Sequence, residues 1–580
     1  MPLMGSLYIG VSGLQTSQNA LNTTAHNISN TDTTGYVRQQ ILQSTAAYNT
    51  IKTDYKSVSN QQIGLGVVYS KTRQVRDVFL DATYRRESGR SSFYEVSADA
   101  LGEIENLLDE MNGETFQESV QDLWTAVQEM AKDPSSAVTQ GLFVERCSEF
   151  LARSQSVYEG LCDYQMSLNE TVKKNTNRIN EIAQQIKSLN DEIRKIEISN
   201  TKEFGISFER ANDLRDTRNA LLDELSTYGN ISYEEDVDCT VFVQFEGEDL
   251  VRGEIAYKIG LYEDPKTGFY TPFWEKNAKF EKDPVTGEKR WTAEEVEKAK
   301  VYDMNRVISS DLNTDIGALK SALLARGDRK ADYTDLMEDR YDYEISQSVC
   351  MNVMAEFDQL VHGIATAVNK VIADAAEEAK KINPSSTYLM TTDPITGKEV
   401  PIQVFKKIAS EGYDASGNYN EEQAGKYNTV TGKVEGYQVE SLYTTTNMQV
   451  NVDLLRQPTK LGFVKIDGQV DYTTMEKLKA AFETEDMTLN PNVKKKSNFV
   501  DYYGDLVSQV ANSGSVYKSI IDSQEKTVSA TSNAREQVIG VSQDEEMTFM
   551  IKFQNAYNAS SRYINVVDDM LEHIINTLAV

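Results

Sequence analysis

Between Leu161 and Ile196 seam residues recur at alternating spacings of four and three: Leu161, Gln165, Leu168, Val172, Asn175, Ile179, Ile182, Ile186, Leu189, Ile193 and Ile196. A strand turns alternate side chains to opposite faces, so this period predicts helix, and its persistence over five heptads predicts one long rod with a continuous seam. Such a rod constrains everything else, because the remaining elements have to be arranged along it. Asn175 falls on the seam, where a buried asparagine fixes register. Two more stretches carry similar spacings: Cys350, Met354, Phe357, Val361, Ile364, Val368 and Val371, and Val507, Val510, Tyr517, Ile521 and Val528. The simplest arrangement is a bundle of long antiparallel helices brought together from both halves of the chain.

The two ends of the chain look like partners. Leu7, Leu14, Leu21 and Ile28 repeat every seven residues, and the intervening seam positions Gly10, Ser17 and Ala25 are small, which suits a helix lying close against another. At the other end Ser542 and Glu545 read as a capping box, with Asp544, Glu545 and Glu546 where the helix dipole favours acids. From there Met547, Met550, Tyr557, Ile564, Val567, Leu571, Ile574 and Leu578 fall on one helix face. The first helix ends in the polar run Ser29 to Thr34 before Gly35. Side chains of this kind bond their own backbone, and glycine permits a reversal.

From Asn230 the period changes to two, so strands follow helices. The motif Asp-Pro-x-Thr-Gly occurs three times, at Asp264–Gly268, Asp283–Gly287 and Asp393–Gly397, and reads as a set of hairpin tips. A calcium loop is the weaker reading, because no series of oxygen ligands follows these aspartates. Beyond Ile372 a stretch rich in Tyr, Thr, Asn and Gly runs to "NPNVKKKSN", whose lysines read as a solvated loop, before helical spacing resumes. The expected fold class is therefore multidomain α + β. It comprises paired terminal helices (1–45 with 541–580), a helical bundle (46–229 with 312–372 and 500–540), a β-rich outer domain (230–311) and an inserted outer domain (373–499).

Chemistry is sparse. Three histidines, His26, His362 and His573, lie in or at the end of predicted helices without HExxH or cysteine partners, and the four cysteines are scattered. Gly64 and Gly66 lack the third glycine of a dinucleotide loop, and no Walker sequence occurs. The pair Glu234 and Glu235 reads as glycosidase carboxylates only by assumption. No catalytic residue, metal ligand or cofactor is expected. A net charge of -30 argues against a nucleic-acid or anionic-membrane surface. No apolar run reaches the roughly eighteen residues that a membrane span needs. "MPLMGSLYIG" lacks the features of a cleaved signal, so the chain is expected to stay in the cytoplasm or to leave by an uncleaved route.

Four segments carry a resemblance. "LQTSQNALNTTAHNISNTDTTGYVRQQ" resembles the N-terminal signature of the flagellar axial proteins of rod, hook and hook-associated type, with Asn27, Ile28, Asn30, Gly35, Tyr36 and Arg38 in place. "GVVYSKTRQVRDVFLDATYRRES" continues it through Arg73, Asp77, Phe79 and Leu80. "ANDLRDTRNALLDELSTYGNISYEED", with Asn212, Asp213, Leu214, Asp216, Arg218 and Leu221, is similar to a motif of the hook–filament junction members that rod and hook members lack. "FQNAYNASSRYINVVDDMLEHIINTL" looks like the C-terminal axial segment, with Gln554, Tyr557, Ala559, Ser560 and Met570 matching. Thr34 and Val37 depart from the usual proline and serine.

The resemblance implies a structural, non-enzymatic protein of the bacterial flagellum, exported through the flagellar secretion apparatus without signal cleavage. It implies terminal helices that build an inner tube in a closed ring of about eleven copies. The implied partners are the hook protein, the second hook–filament junction protein and a FlgN-type export chaperone on the C-terminal helix, with no nucleic acid and no membrane insertion. Exposed terminal seams are expected to be disordered or chaperone-held until polymerisation. The alternatives are a hook or distal-rod subunit, and a flagellum-borne enzyme or glycan-binding module in 373–499.

Overall fold

The computed structural model describes residues 2–33, 35–52, 61–109, 116–199, 211–282, 289–304, 306–337, 341–393, 397–414, 416–428, 433–465 and 467–578. It is a mixed helical protein with small antiparallel sheets. Helix α1 (Pro2–Ser29) is followed by a ribbon in which β1 (Gln39–Thr45) pairs with β4 (Val67–Gln74), extended by β2 (Asn49–Lys52) and β3 (Gln61–Ile63). The helices α2 (Val78–Asp109), α3 (Phe116–Lys132), α4 (Ala137–Ser199) and α5 (Asn212–Tyr228) come next. After the strands come α6 (Ala293–Lys298), α7 (Ala318–Arg326) and α8 (Val349–Ile382). The short α9 (Val452–Arg456), α10 (Tyr472–Glu483), α11 (Phe499–Ile539) and α12 (Gln543–Leu578) complete the chain.

The 63-residue α4 is the rod that the heptads predict. Its seam is buried through Leu161, Gln165, Leu168, Val172, Ile179, Ile182, Ile186 and Ile193, whereas Asn175 and Leu189 are only half-buried and Ile196 is exposed. The seam does not meet a single partner. Its first half joins α3, α8 and α11 in one core around Phe116, Phe150 and Phe357, and its second half faces α5, α7 and a sheet. The third periodic stretch, in α11, lies mainly along α2.

Asn175 therefore fixes no register, and other asparagines of the rod take up that role. Asn169 donates to Gly268 O and accepts from Tyr270 N (3.0 and 2.8 Å), Asn180 does both with Ile259 (2.8 and 2.9 Å), and Asn190 does both with Val241 (2.9 and 3.1 Å). A carboxamide offers a donor and an acceptor spaced like a peptide group, so each side chain acts as a one-residue strand that satisfies a sheet edge. Asn369 of α8 treats Val404 and Phe405 in the same way.

The sheet on the rod is four-stranded and antiparallel, β5 (Ile231–Glu235), β6 (Val241–Phe245), β7 (Glu248–Arg252) and β8 (Ile255–Ala256), and beside it β9 (Ile259–Glu263) pairs with β10 (Tyr270–Trp274). The tip Asp264–Gly268 closes that hairpin: Gly268 has φ +73° and donates to Asp264 O, while the Asp264 carboxylate accepts from Lys266 N and Thr267 Oγ1. The second and third repeats also lie between paired strands, but residues 283–288 and 394–396 are outside the described residues.

Two expected boundaries fall elsewhere. The ribbon β1/β4 straddles position 45: among the described residues each of these strands pairs only with the other. Helix α8 continues ten residues past 372, and the stretch after it buries Phe405, Tyr443, Phe463, Leu478 and Phe482 in the core that holds Phe116 and Phe357. Residues 373–499 thus share the core of the helical bundle, contrary to the separate outer domain expected for them. Of its tyrosines, Tyr388, Tyr413 and Tyr443 are buried and Tyr388 donates to Asp471 (2.6 Å), whereas Tyr419 and Tyr472 are exposed.

Candidate functional site: the terminal helix pair and its joint

Helices α1 and α12 lie against each other along their length. The buried line of α1 consists of Gly10, Thr16, Ser17, Ala20, Thr24 and Asn27. A Cβ at Gly10 would sit 2.6 Å from Ile564 Cγ1, and one at Gly13 2.8 Å from Ser560 Oγ, so glycine is what lets the two backbones approach. The hydroxyls on this face bond back along their own helix, Thr16 to Ser12 O (2.8 Å) and Ser17 to Gly13 O (2.7 Å), which satisfies them without help from α12.

The heptad residues Leu7, Leu14, Leu21 and Ile28 flank this line and stay half-buried, and Ala25 is exposed. On α12, Val567 is buried, while Met550, Tyr557, Ile564 and Leu571 are half-buried. Met547 and Ile574 are exposed, and the side chain of Leu578 is outside the described residues. The pair consequently leaves Tyr8, Val11, Ile551, Val566, Met570 and Ile575 on its outside, each about half or more exposed.

The signature after α1 builds a joint. Gly35 turns the chain at φ +81°, and Asn27 catches it on return: its amide donates to Gln39 O (2.9 Å), and its Oδ1 accepts from Gln39 N (3.1 Å) and Tyr36 Oη (2.7 Å). Asn30 caps the helix end, donating to His26 O (3.0 Å) and accepting from Thr33. Arg38 clasps the start of α12, with Nε on Glu546 (2.8 Å) and Nη1 near Glu545 (3.3 Å), while its own N–H donates to Ile539 O (2.9 Å). Glu546 is 3 % exposed in this clasp. At the expected capping box, Ser542 Oγ accepts from Glu545 N at 3.5 Å.

The motif on α5 forms the other side of the joint. Asp216 accepts from Val37 N (3.4 Å) and Gln74 Nε2 (2.7 Å), and Arg76 stands 4.0 Å away. Burial pushes its carboxyl up to about 7, against the pull of Val37 N–H, Arg76 and Gln74. One turn and more along, Asp223 holds Arg85 (2.6 Å) and Arg535 (2.7 Å), and Arg535 also reaches Asp81 (2.7 Å), which pairs with Arg76 (2.9 Å). Burial works to raise the Asp81 carboxyl, but Arg76, Arg535 and Arg85 overcome it and hold it below the usual carboxylate range. Asn212 presents its carbonyl to Gln74 (3.0 Å), Leu214 and Leu221 are half-buried, and Asp213 is exposed. Arg218 turns away, buried against Asn190 and Cys239 O.

Sequence reasoning missed Arg76, Asp81, Arg85, Asp223, Arg535 and the burial of Glu546. Asp216 and Asp223 stand seven apart on one helix face, a signal of an acidic face awaiting cations, but nothing in the sequence names those cations. Of the residues quoted instead, Arg73 bonds Gln40 at the surface, Asp77 caps α2 through Phe79 N, and Phe79 is exposed. Among the described residues no three His, Cys, Asp or Glu side chains are grouped to hold a metal ion, and no helix is long and apolar enough to cross a membrane. His26 and His573 are exposed, whereas His362 is largely buried and stacks on Tyr333 at 3.7 Å.

Three family models match in chain order. The basal body rod protein model covers residues 7–36, the FlgK helical-domain model covers 101–289, and the C-terminal model of the basal body rod FlgEFG proteins covers 538–577. In its helical body and over its whole length the chain resembles the FlgK family of flagellar hook-associated proteins. It is 23 % identical over 583 residues to flagellar hook-associated protein 1 of Bacillus subtilis (strain 168), covering 100 % of this chain and 99 % of the relative. It is 22 % identical over 588 residues to that of Escherichia coli (strain K12), with 98 % of each covered. The solved FlgK from Burkholderia pseudomallei, named as a hook junction protein, aligns over 79 % of this chain and 100 % of its own, at 11 % identity and a TM-score of 0.47. Both rod-type matches fall on the terminal pair and joint, and the FlgK helical-domain match begins and ends within the body.

Proposed function

We infer that this chain is a structural, non-enzymatic component of the bacterial flagellum that polymerises on the hook and joins it to the filament. The observation that carries the reading is the pairing of two rod-type terminal segments whose outer face remains apolar, on a body of FlgK type. Such a face is worth roughly 25 cal/mol per Å² once neighbours cover it, which favours assembly of many copies over a lone subunit. Relatives named hook-associated protein 1 extend over the whole chain and favour this over a hook or distal-rod subunit.

On this reading about eleven copies close into a ring that meets the hook protein below and a second junction protein above. Each copy leaves the cell through the flagellar export apparatus with its signal uncleaved, and a FlgN-type chaperone covers α12 beforehand. Cells lacking the gene are expected to carry bare hooks and to lose flagellin into the medium. The wild-type gene should restore filaments, whereas a version with serine at Ile564, Leu571 and Ile574 should lose chaperone binding and restore few. Normal filaments without the gene would overturn the reading, and unchanged chaperone capture by the triple variant would remove α12 as the chaperone's site.

A further inference from the structure

We propose that the ribbon β1/β4 is a splint on α1: it is fixed to the helix at both ends, and its far seat, where Gly66 meets Ser12, holds the N-terminal half of α1 in place.

The two elements match in length. The helix from Asn27 back to Ser12 spans about 22 Å, and the ribbon from Gln39 to Thr45 spans about 20 Å. At the near end Asn27 bonds both backbone groups of Gln39 (2.9 and 3.1 Å). At the far end, where Thr45 pairs with Val67, the Ser12 hydroxyl accepts from Val67 N (3.3 Å) while donating to Ile9 O (2.8 Å). Both α1 side chains thus take up backbone groups at the ends of the ribbon. Between these points β1 and β4 both lie along α1, and the irregularity at Leu42/Gln43 bends the ribbon.

The far seat requires glycine. Gly66 has φ +93°, and its carbonyl accepts from Ala46 N (2.9 Å), which closes that end of the ribbon. A Cβ there would overlap Ser12 Oγ and stand 3.2 Å from Ile9 Cα, so ribbon backbone lies directly on helix backbone. Gly64 is different: its φ lies outside the left-handed region, and a Cβ would make an ordinary 3.6 Å contact with Tyr48. The glycine that fits no nucleotide loop is the point where ribbon and helix touch.

The splint decides which side of α1 stays open. Gly10 and Gly13 turn to α12, while Ile9 and Ser12 turn to the ribbon. Met4, Tyr8 and Val11, spaced four and three apart on one face, remain exposed. Where copies assemble as inferred above, a neighbour is directed to that face. This consequence rests on the assembly reading, whereas the seat is a property of the single chain.

Hydrogen exchange on the full chain, read on one element after a change in the other, tests the seat. Gly66→Ala should lower the protection of residues 5–16 of α1 as well as of 61–70, by at least about tenfold. Gly64→Ala should change neither. Ser12→Ala, which keeps α1 a good helix, should lower the protection of residues 61–70 about fivefold. Peptides from α4 should not respond in any variant. An α1 that keeps wild-type protection in Gly66→Ala would overturn the proposal, as would a ribbon unmoved by Ser12→Ala or an α1 without protection in the wild type. The Ser12→Ala result decides the matter even if Gly66→Ala fails to fold. Normal filaments in cells lacking the gene would remove the assembly reading and leave this result standing.

Discussion

Replacing Arg38 by glutamate is expected to undock the terminal helix pair while leaving the body folded. Arg38 supplies the cation for Glu546, which is almost fully buried, and stands near Glu545 as well. Removing one partner of a buried pair leaves an uncompensated charge and costs about 3–5 kcal/mol. Arg38 is itself 23 % exposed, so solvent screening places the loss near the lower bound, at about 3 kcal/mol. The loss is local, because the backbone bonds Arg38 N to Ile539 O and Val75 N to Arg38 O do not depend on the side chain. Limited proteolysis should cut the variant near residues 31–40 and 538–546 much faster than the wild type, with the main unfolding transition unmoved. Exchanging the charges, Arg38→Glu with Glu546→Arg, should recover part of the protection. A variant as resistant as wild type would show that the clasp does not hold the joint.

Phe357→Ala is expected to destabilise the helical bundle and residues 390–489 together, by about 4 kcal/mol. Phe357 is fully buried, with ring centroids 4.9 Å from Phe116 and 6.3 Å from Tyr503, and truncation opens a cavity where three helices meet. The same core takes in Phe405, Tyr443 and Phe463, and Trp124 of α3 stacks on Phe482 of α10 at 5.6 Å. With one core there is one transition, so urea unfolding followed by tryptophan emission and by exchange of residues 390–489 should shift to the same lower midpoint. An unchanged 390–489 segment in the variant would mean that this stretch folds independently.

What the sequence disclosed follows from how far each signal reaches along the chain. The rod was legible because a period sustained from Leu161 to Ile193 survives local exceptions. Asn175 misled because the register rule assumes a two-stranded coil. In this fold the asparagines that matter, Asn169, Asn180 and Asn190, are aimed at sheet edges whose positions no helix period encodes. The leucine heptad of α1 marked the right helix but not its contact line, because close approach selects Gly10, Ser17 and Ala20 and moves the larger Leu7, Leu14 and Leu21 to the flanks.

The joint was half visible. The residues between Asn27 and Arg38 announce a turn through their own local chemistry, and the turn forms through their own side chains. Its ion pairs join Arg38 to Glu546 and Arg535 to Asp81 and Asp223, residues hundreds of positions apart, and only the folded chain brings them together. Residues 373–499 misled for a related reason. Their polar composition suggested an outward module, whereas large apolar residues among them, Phe405, Phe463 and Phe482 included, are spent on the shared core.

The most direct test of the account is to locate the chain in the assembled organelle. Electron microscopy of intact flagella labelled with gold against residues 230–311 should show label in a single band where hook meets filament. Label along the hook, along the filament or in the basal body would contradict a junction role and return the terminal pair to a rod or hook subunit.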